Sequence, residues 1–268
     1  MAITALHSAA TGLSALSTEL DVLANNLANV NNAGFKRSRV NFEDLLYQEK
    51  AQPGVLNANG DQRPMGTFVG LGTRVSGTQI EFTQGSPIPT GQQLDLAIDG
   101  IGFFQVNVGD LGGGIAYTRA GNFTVNADGE IVLGNSDGRR LEPPIQIDPE
   151  YVSIDVTSDG TIYVKLADDT EPQEVGRLEL AAFVNPAGLE QIGGNLYLET
   201  AASGPPIVGE PGEGQFGRIL HKFLEGSNVD PVKELVSLIK TQRSFEMNSQ
   251  SIQAADEALQ VISNLRRF

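Results

Sequence analysis

Through the first thirty residues, apolar side chains return with a seven-residue period. Leu6, Leu13, Leu20 and Leu27 make one column, and Ala9, Leu16, Leu23 and Val30 stand three positions after each. Alternating steps of three and four put all eight on one seam of a helix about 40 Å long, at about 1.5 Å per residue. Asn31-Asn32-Ala33-Gly34 then supplies residues that tolerate the left-handed turn closing a helix. The other faces carry Ala, Ser, Thr and Asn, so the helix has little to gain by standing alone.

The last forty residues mirror this pattern. Asp230-Pro231 reads as a helix N-cap and first helical position. Leu238, Phe245, Ile252 and Leu259 form a heptad column, while Ala255 and Ile262 belong to a second column that Asn248 interrupts with a polar group. The helix is predicted to run to about residue 265, on the order of 50 Å. The two seams can be filled by neighbouring copies or by each other, as a hairpin within one monomer. Small uncharged outer faces, rather than the Lys and Glu of a solvated helix, favour contact with other helices on several sides.

Between the ends the period changes to two. Ile154 and Val156 alternate ahead of Ser158-Asp159-Gly160, and Ile162 and Val164 alternate after it, as in a β-hairpin. Residues 123–126 and 130–133 flank Ala127-Asp128-Gly129 in the same way. Leu94, Leu96 and Ile98 lead to Asp99-Gly100, and Phe103-Phe104-Gln105-Val106 follows. One more strand is predicted from Val175 to Val184. Residues 51–73 and 202–217 lack periodicity and read as extended or looped linkers.

Length and composition add limits. The 268 residues suffice for one large or two modest domains. The 31 Gly and 13 Pro favour short strands and turns in the middle of the chain. The net charge of −15 disfavours nucleic acid and anionic membrane surfaces. That charge is central, since residues 79–213 carry 21 acids against Arg119, Arg139, Arg140, Lys165 and Arg177. Absent cysteines remove disulfides, zinc ribbons and thiol nucleophiles. Neither a cleavable secretory signal nor a bilayer-spanning apolar run is visible.

Candidate chemistry is thin. His7 and His221 lack a metal-ligand or triad pattern around them. The Asp-Gly pairs at 99–100, 128–129, 137–138 and 159–160 sit in no calcium-loop spacing and are explained by turns. Nothing in the acidic segment selects a carboxylate pair for acid–base work. Gly70-Leu71-Gly72 lacks the third glycine of a dinucleotide fingerprint. The reading is of no cofactor, no metal and no enzyme.

Leu23-Ala24-Asn25-Asn26-Leu27-Ala28-Asn29, followed by Gly34-Phe35-Lys36, resembles the N-terminal signature of the flagellar basal-body rod and hook axial family. Residues 95–106, 117–125, 227–229, 234–236 and 241–247 are similar to its central and C-terminal blocks, so the resemblance spans essentially the whole chain. Phe42-Glu43-Asp44-Leu45-Leu46-Tyr47-Gln48 and then Gln52-Pro53-Gly54 resemble the distal-rod branch. Asn32-Ala33 stands where the family often has Thr before Gly-Phe-Lys.

The resemblance implies an α+β fold. Helices 1–34 and 228–268 would form an inner coiled-coil domain, and residues 91–201 an outer, mostly antiparallel β domain. Residues 35–90 would be an extended linker and brace, and 202–227 a return linker. It implies a helical homopolymer in the periplasm reaching the outer membrane, a hollow shaft that transmits torque and passes later subunits. Its partners would be proximal rod proteins, the hook protein, the P and L ring proteins and the flagellar type III export apparatus, which takes chains without a cleaved signal. A proximal-rod or hook paralogue is the neighbouring alternative. A secreted β-rich binding module or hydrolase, active as a monomer without its ends, is the distant one.

Overall fold

The computed structural model describes residues 2–56, 61–62, 64–109, 112–167 and 171–265. It is α+β, with a long helix at each end of the chain and a mostly antiparallel β region between them. The chain forms two compact units. One comprises residues 1–28, 38–80 and 230–268, and the other residues 29–37 and 81–229.

The helical unit is built from α1 (Ala2–Ala28), α2 (Pro231–Leu265) and four strands. Those strands are β1 (Ser38–Asp44), β2 (Tyr47–Ala51), β3 (Thr67–Gly70) and β4 (Thr73–Ile80). β1 pairs antiparallel with β4, and β2 with β3. Asp230 caps α2 as its position predicts, its Oδ1 accepting from the amides of Val232 at 3.1 Å and Lys233 at 3.2 Å. Those backbone bonds hold the Asp230 carboxyl below its ordinary pKa.

α1 and α2 pack against each other in antiparallel fashion. A Cβ on Gly12 would stand 3.2 Å from Asn248 Nδ2, and Asn26 Nδ2 lies 3.5 Å from Glu234 Oε2. Two heptads along α1, from 12 to 26, thus match two heptads back along α2, from 248 to 234. The polar interruption at Asn248 meets the one glycine of α1, so the bulky amide sits where α1 has no side chain. The helices use each other as partners within the chain, one of the two arrangements open from the sequence.

The small polar faces of α1 behave differently from expectation. Ser8 Oγ donates to the Gly70 carbonyl at 3.3 Å, Thr11 Oγ1 accepts from the Thr73 amide at 3.4 Å, and Asn26 bonds both backbone groups of Ser38. One of these faces therefore packs on the chain's own strands rather than on other helices. Short side chains let backbone approach backbone, and the hydroxyls and amide satisfy strand groups that the helix would otherwise cover.

The β unit has a seven-stranded sheet. Its order runs Glu190–Gly193, Leu196–Leu198, Ile115–Thr118, Phe103–Asn107, Leu180–Ala182 and Ile207–Gly209, with Leu141–Glu142 also paired to Phe103–Asn107. Phe104, Val106, Leu180, Ile98, Ile131 and Ile162 lie among its fully buried side chains. The hairpin predicted around Asp159-Gly160 forms with Val156 opposite Ile162, and Gln173–Arg177 completes a three-stranded sheet. Phe123–Val125 and Ile131–Leu133 pair as their turn requires.

Three expectations are revised, the first being the linker 51–73, in which Thr67–Gly70 forms a strand paired with Tyr47–Ala51. The run 175–184 is divided, Gln173–Arg177 joining the three-stranded sheet and Leu180–Ala182 the seven-stranded one. A single apolar run serves both because each half is short and the chain turns between sheets at Leu178, which is buried. The stretch 202–217 is not a plain linker, since Ile207–Gly209 adds the edge strand beside Leu180–Ala182.

Candidate functional site

Ten of the twelve seam residues larger than alanine lie on α1 and α2 with described side chains. On α1, Leu23 is buried and Leu6, Leu13, Leu16, Leu20 and Leu27 are half-buried. On α2, Leu238, Phe245, Ile252 and Leu259 are half-buried, whereas the side chain of Ile262 lies outside the described residues. Val30 falls past the end of α1, in the segment 29–37, and is half-buried there. The second column of α2 is more polar than the sequence suggested, with Glu234 and Thr241 both buried.

α2 also carries a second apolar row. Val232, Leu235, Val236, Ile239, Met247 and Val261 are exposed. Residues 232, 235, 236 and 239 follow the three- and four-residue steps of one helical face. Among the described residues, no partner covers it. The heptad column through Leu238 hides this row in the sequence, because two apolar stripes on one helix overlap when read linearly.

The family-motif residues divide by role. Asn25 is exposed and Asn29 half-buried. Asn26 is fully buried, its Nδ2 donating to the Ser38 carbonyl at 2.7 Å and its Oδ1 accepting from the Ser38 amide at 3.0 Å. It thereby acts as a strand partner for β1. Gly34 has φ +74°, and a Cβ there would meet the Ala120 amide nitrogen at 2.5 Å, so conformation and space both demand glycine. Phe35 is half-buried.

Lys36 is the unexpected member. Its side chain is 0% exposed and its Nζ lies 2.5 Å from Glu225 Oε1, itself 1% exposed. Nζ also donates to the Thr83 carbonyl at 2.8 Å. Glu225 Oε1 accepts from the Gly85 amide at 2.9 Å, and Oε2 lies 3.4 Å from Arg119 Nη1. Arg119 is buried in turn, with Nη2 donating to the Gly100 carbonyl at 2.8 Å and its guanidinium 5.2 Å from the Phe103 ring centre. Two buried cations thus share one carboxylate. Burial pulls the Lys36 ammonium below its ordinary pKa, while the Glu225 charge opposes that shift. Nearby, burial and then the Glu225 charge push the Tyr197 phenol up, so it stays neutral. An ion pair spanning 189 positions leaves no local signal in the sequence.

The proposed brace is an exposed ribbon. Phe42 on β1, Leu46 before β2, Tyr47 on β2 and Phe68 on β3 are all exposed, Leu46 at 84%. Leu45 is half-buried, and its amide donates to the Gly72 carbonyl at 2.9 Å. Pro53 and Gly54 are exposed in a turn, with Gly54 at φ +80°. Val55, Leu56 and Met65 add further exposed apolar surface, more than an isolated soluble domain normally leaves in one stretch.

Among the described residues no group of His, Cys, Asp or Glu is arranged to hold a metal ion, and no helix is long and apolar enough to cross a membrane. A cavity of about 660 Å³ beside Gln93, Phe123 and Ile154 is lined by turn and strand residues and includes Asp95 as its one charged group. It holds no nucleophile–base pair.

Three family models match in chain order. Residues 6–36 match the flagella basal body rod protein, 97–164 the flagellar hook protein FlgE/F/G D1 domain, and 221–265 the flagellar basal body rod FlgEFG protein C-terminal region. The flagellar basal-body rod protein FlgG of Agrobacterium fabrum is 44% identical over 97% of this chain and 98% of its own length. FlgG of Caulobacter vibrioides is 44% identical over 98% of this chain and 99% of its own. The flagellar basal-body rod protein FlgF of that same bacterium is 35% identical, over 86% of this chain and 84% of its own. Within one organism the FlgG likeness is therefore both higher and more complete. The chain belongs to the flagellar basal-body rod protein FlgG family.

Proposed function

We propose that this protein is a structural subunit of the flagellar distal rod, a helical homopolymer that carries torque from motor to hook. The observation that carries the reading is end-to-end similarity to FlgG proteins, at 44% identity over nearly the whole length of both chains. In the polymer the paired helices act as a coiled-coil inner layer around a channel through which later subunits pass. The exposed row of α2 and the apolar ribbon of residues 42–68 are the surfaces that neighbouring copies cover. The ribbon serves as the brace that stiffens the shaft. Contacts between two different patches are heterologous, and they build an open helical assembly where the rotation between copies does not close a ring.

The subunit leaves the cell unfolded through the type III export apparatus, joins proximal rod below and hook above, and turns in the periplasm within the P and L rings. The acidic surface of the β unit faces those rings. Its solvated like charge either keeps shaft and bushing apart or lets a basic ring centre the shaft. No step of this function calls for a catalytic residue or cofactor.

Deleting the gene in its own bacterium tests the reading. Cells are expected to lose swimming, and isolated basal bodies to end before the hook. Swimming cells with complete hooks would contradict it. Basal bodies that lack even the proximal rod would favour the proximal paralogue instead.

A further inference from the structure

The chain passes between its two units four times, after residues 28, 37, 80 and 229. On the β-unit side those passages begin or end in three short segments, 29–37, 81–86 and 225–229, and the three are bonded to one another. The Glu81 amide donates to the Arg37 carbonyl at 2.8 Å, and the Gly34 amide to the Glu225 carbonyl at 2.8 Å. The Gly226 amide donates to the Ser86 carbonyl at 2.9 Å. Two side chains of the third segment complete the set. Glu225 Oε1 takes Lys36 from the first segment and the Gly85 amide from the second. Asn228 Oδ1 accepts from the Arg37 amide at 2.7 Å, while Asn228 Nδ2 donates to the Glu81 carbonyl at 2.7 Å.

The three segments thus supply many of one another's partners. The Gly226–Ser86 bond continues the ladder of Phe223–Glu225 with Pro87–Pro89, and the Glu81–Arg37 bond that of β1 with β4. Asn32, Gln84 and Glu225 also bond to Asn195, Gly100 and Arg119. Segments that supply one another's partners lose support together once one of them leaves, which is the condition for cooperative opening.

We propose that Glu225 and Asn228 form a clamp that ties the passages between the two units into one cooperative element, so that its segments open together. The clamp does not rest on the distal-rod reading and is tested on the monomer.

The test is amide hydrogen exchange on the full chain carrying Asn228→Ala. The substitution directly removes the acceptor of only one amide, Arg37. With a clamp, the amides of Gly34, Glu81, Gly85 and Gly226 are expected to accelerate together with Arg37, by about tenfold or more, while the strand Phe103–Asn107 keeps its protection. Acceleration confined to Arg37 overturns the proposal. Acceleration that extends through Phe103–Asn107 overturns it too, because the segments would then belong to the β core. Asn228→Asp keeps an acceptor for Arg37 and removes the donor to Glu81. The same group of amides is expected to accelerate there, and unchanged exchange at Gly34 and Gly85 counts against the clamp.

Discussion

Replacing Glu225 with glutamine is expected to unfold the β unit far more readily than replacing either of its cationic partners. The wild-type cluster holds Lys36, Arg119 and Glu225 at 0%, 5% and 1% side-chain exposure. Removing the carboxylate leaves two buried positive charges facing each other, and breaking a buried pair in this way costs about 3–5 kcal/mol. For a unit of this size that is a fall on the order of 10 °C in melting temperature. Lys36→Met leaves Arg119 and Glu225 as a one-to-one pair with an apolar chain in the vacated channel, so no buried charge stays without an opposite one and a smaller loss is expected. The Thr83 carbonyl loses one donor but keeps Asn228 Nδ2 at 3.2 Å. Thermal denaturation of the two variants decides the matter. A Lys36→Met protein as unstable as Glu225→Gln would mean that the lysine's own bonds, rather than charge balance, organise the cluster.

The second large effect concerns assembly without folding. Changing Val236 and Ile239 together to aspartate is expected to leave the monomer's melting temperature nearly unchanged, because both are exposed and surface changes usually stay within about 0.5 kcal/mol. Rod formation is expected to fail, since central apolar contacts of an interface are worth roughly 2 kcal/mol or more each, a factor of about 30 in association per site. Leu23→Ala should do the reverse. It opens the buried inner seam and lowers monomer stability by about 2–5 kcal/mol before assembly is reached. Melting curves and counts of hook-bearing basal bodies separate the two classes. Normal hooks with both aspartates present would remove the outer row from the account.

Much of this architecture was legible because it repeats. The heptads of α1 and α2, the Asp230 cap and the hairpin turns at 127–129 and 158–160 are local patterns that few alternatives satisfy. The antiparallel register is also latent in the sequence, since Asn248 and Gly12 are the two irregular positions of their helices and they meet. The split of residues 173–184 between two sheets was hidden because a continuous apolar run looks the same whether one sheet or two take it up.

Long-range polar contacts were not legible at all. Nothing near Lys36 announces Glu225, and nothing local in the signature tells that Asn26 and Lys36 are buried. Both signature residues spend their side chains inside the chain, holding β1 and the segment 29–37. One small face of α1 packs on strands for a related reason, because small polar residues suit close approach to a strand as well as to a helix. The outer row of α2, by contrast, is ordinary helix periodicity masked by the inner one.

The most direct test of the central claim is a helical reconstruction of rods, still inside their rings, purified from the parent bacterium. The account predicts that this chain fills the distal segment, with Val232, Val236 and Ile239 buried against another copy and the ribbon around Leu46 and Phe68 covered by a neighbour. A distal rod built from another protein, or one in which this chain leaves both surfaces open to solvent, would contradict it.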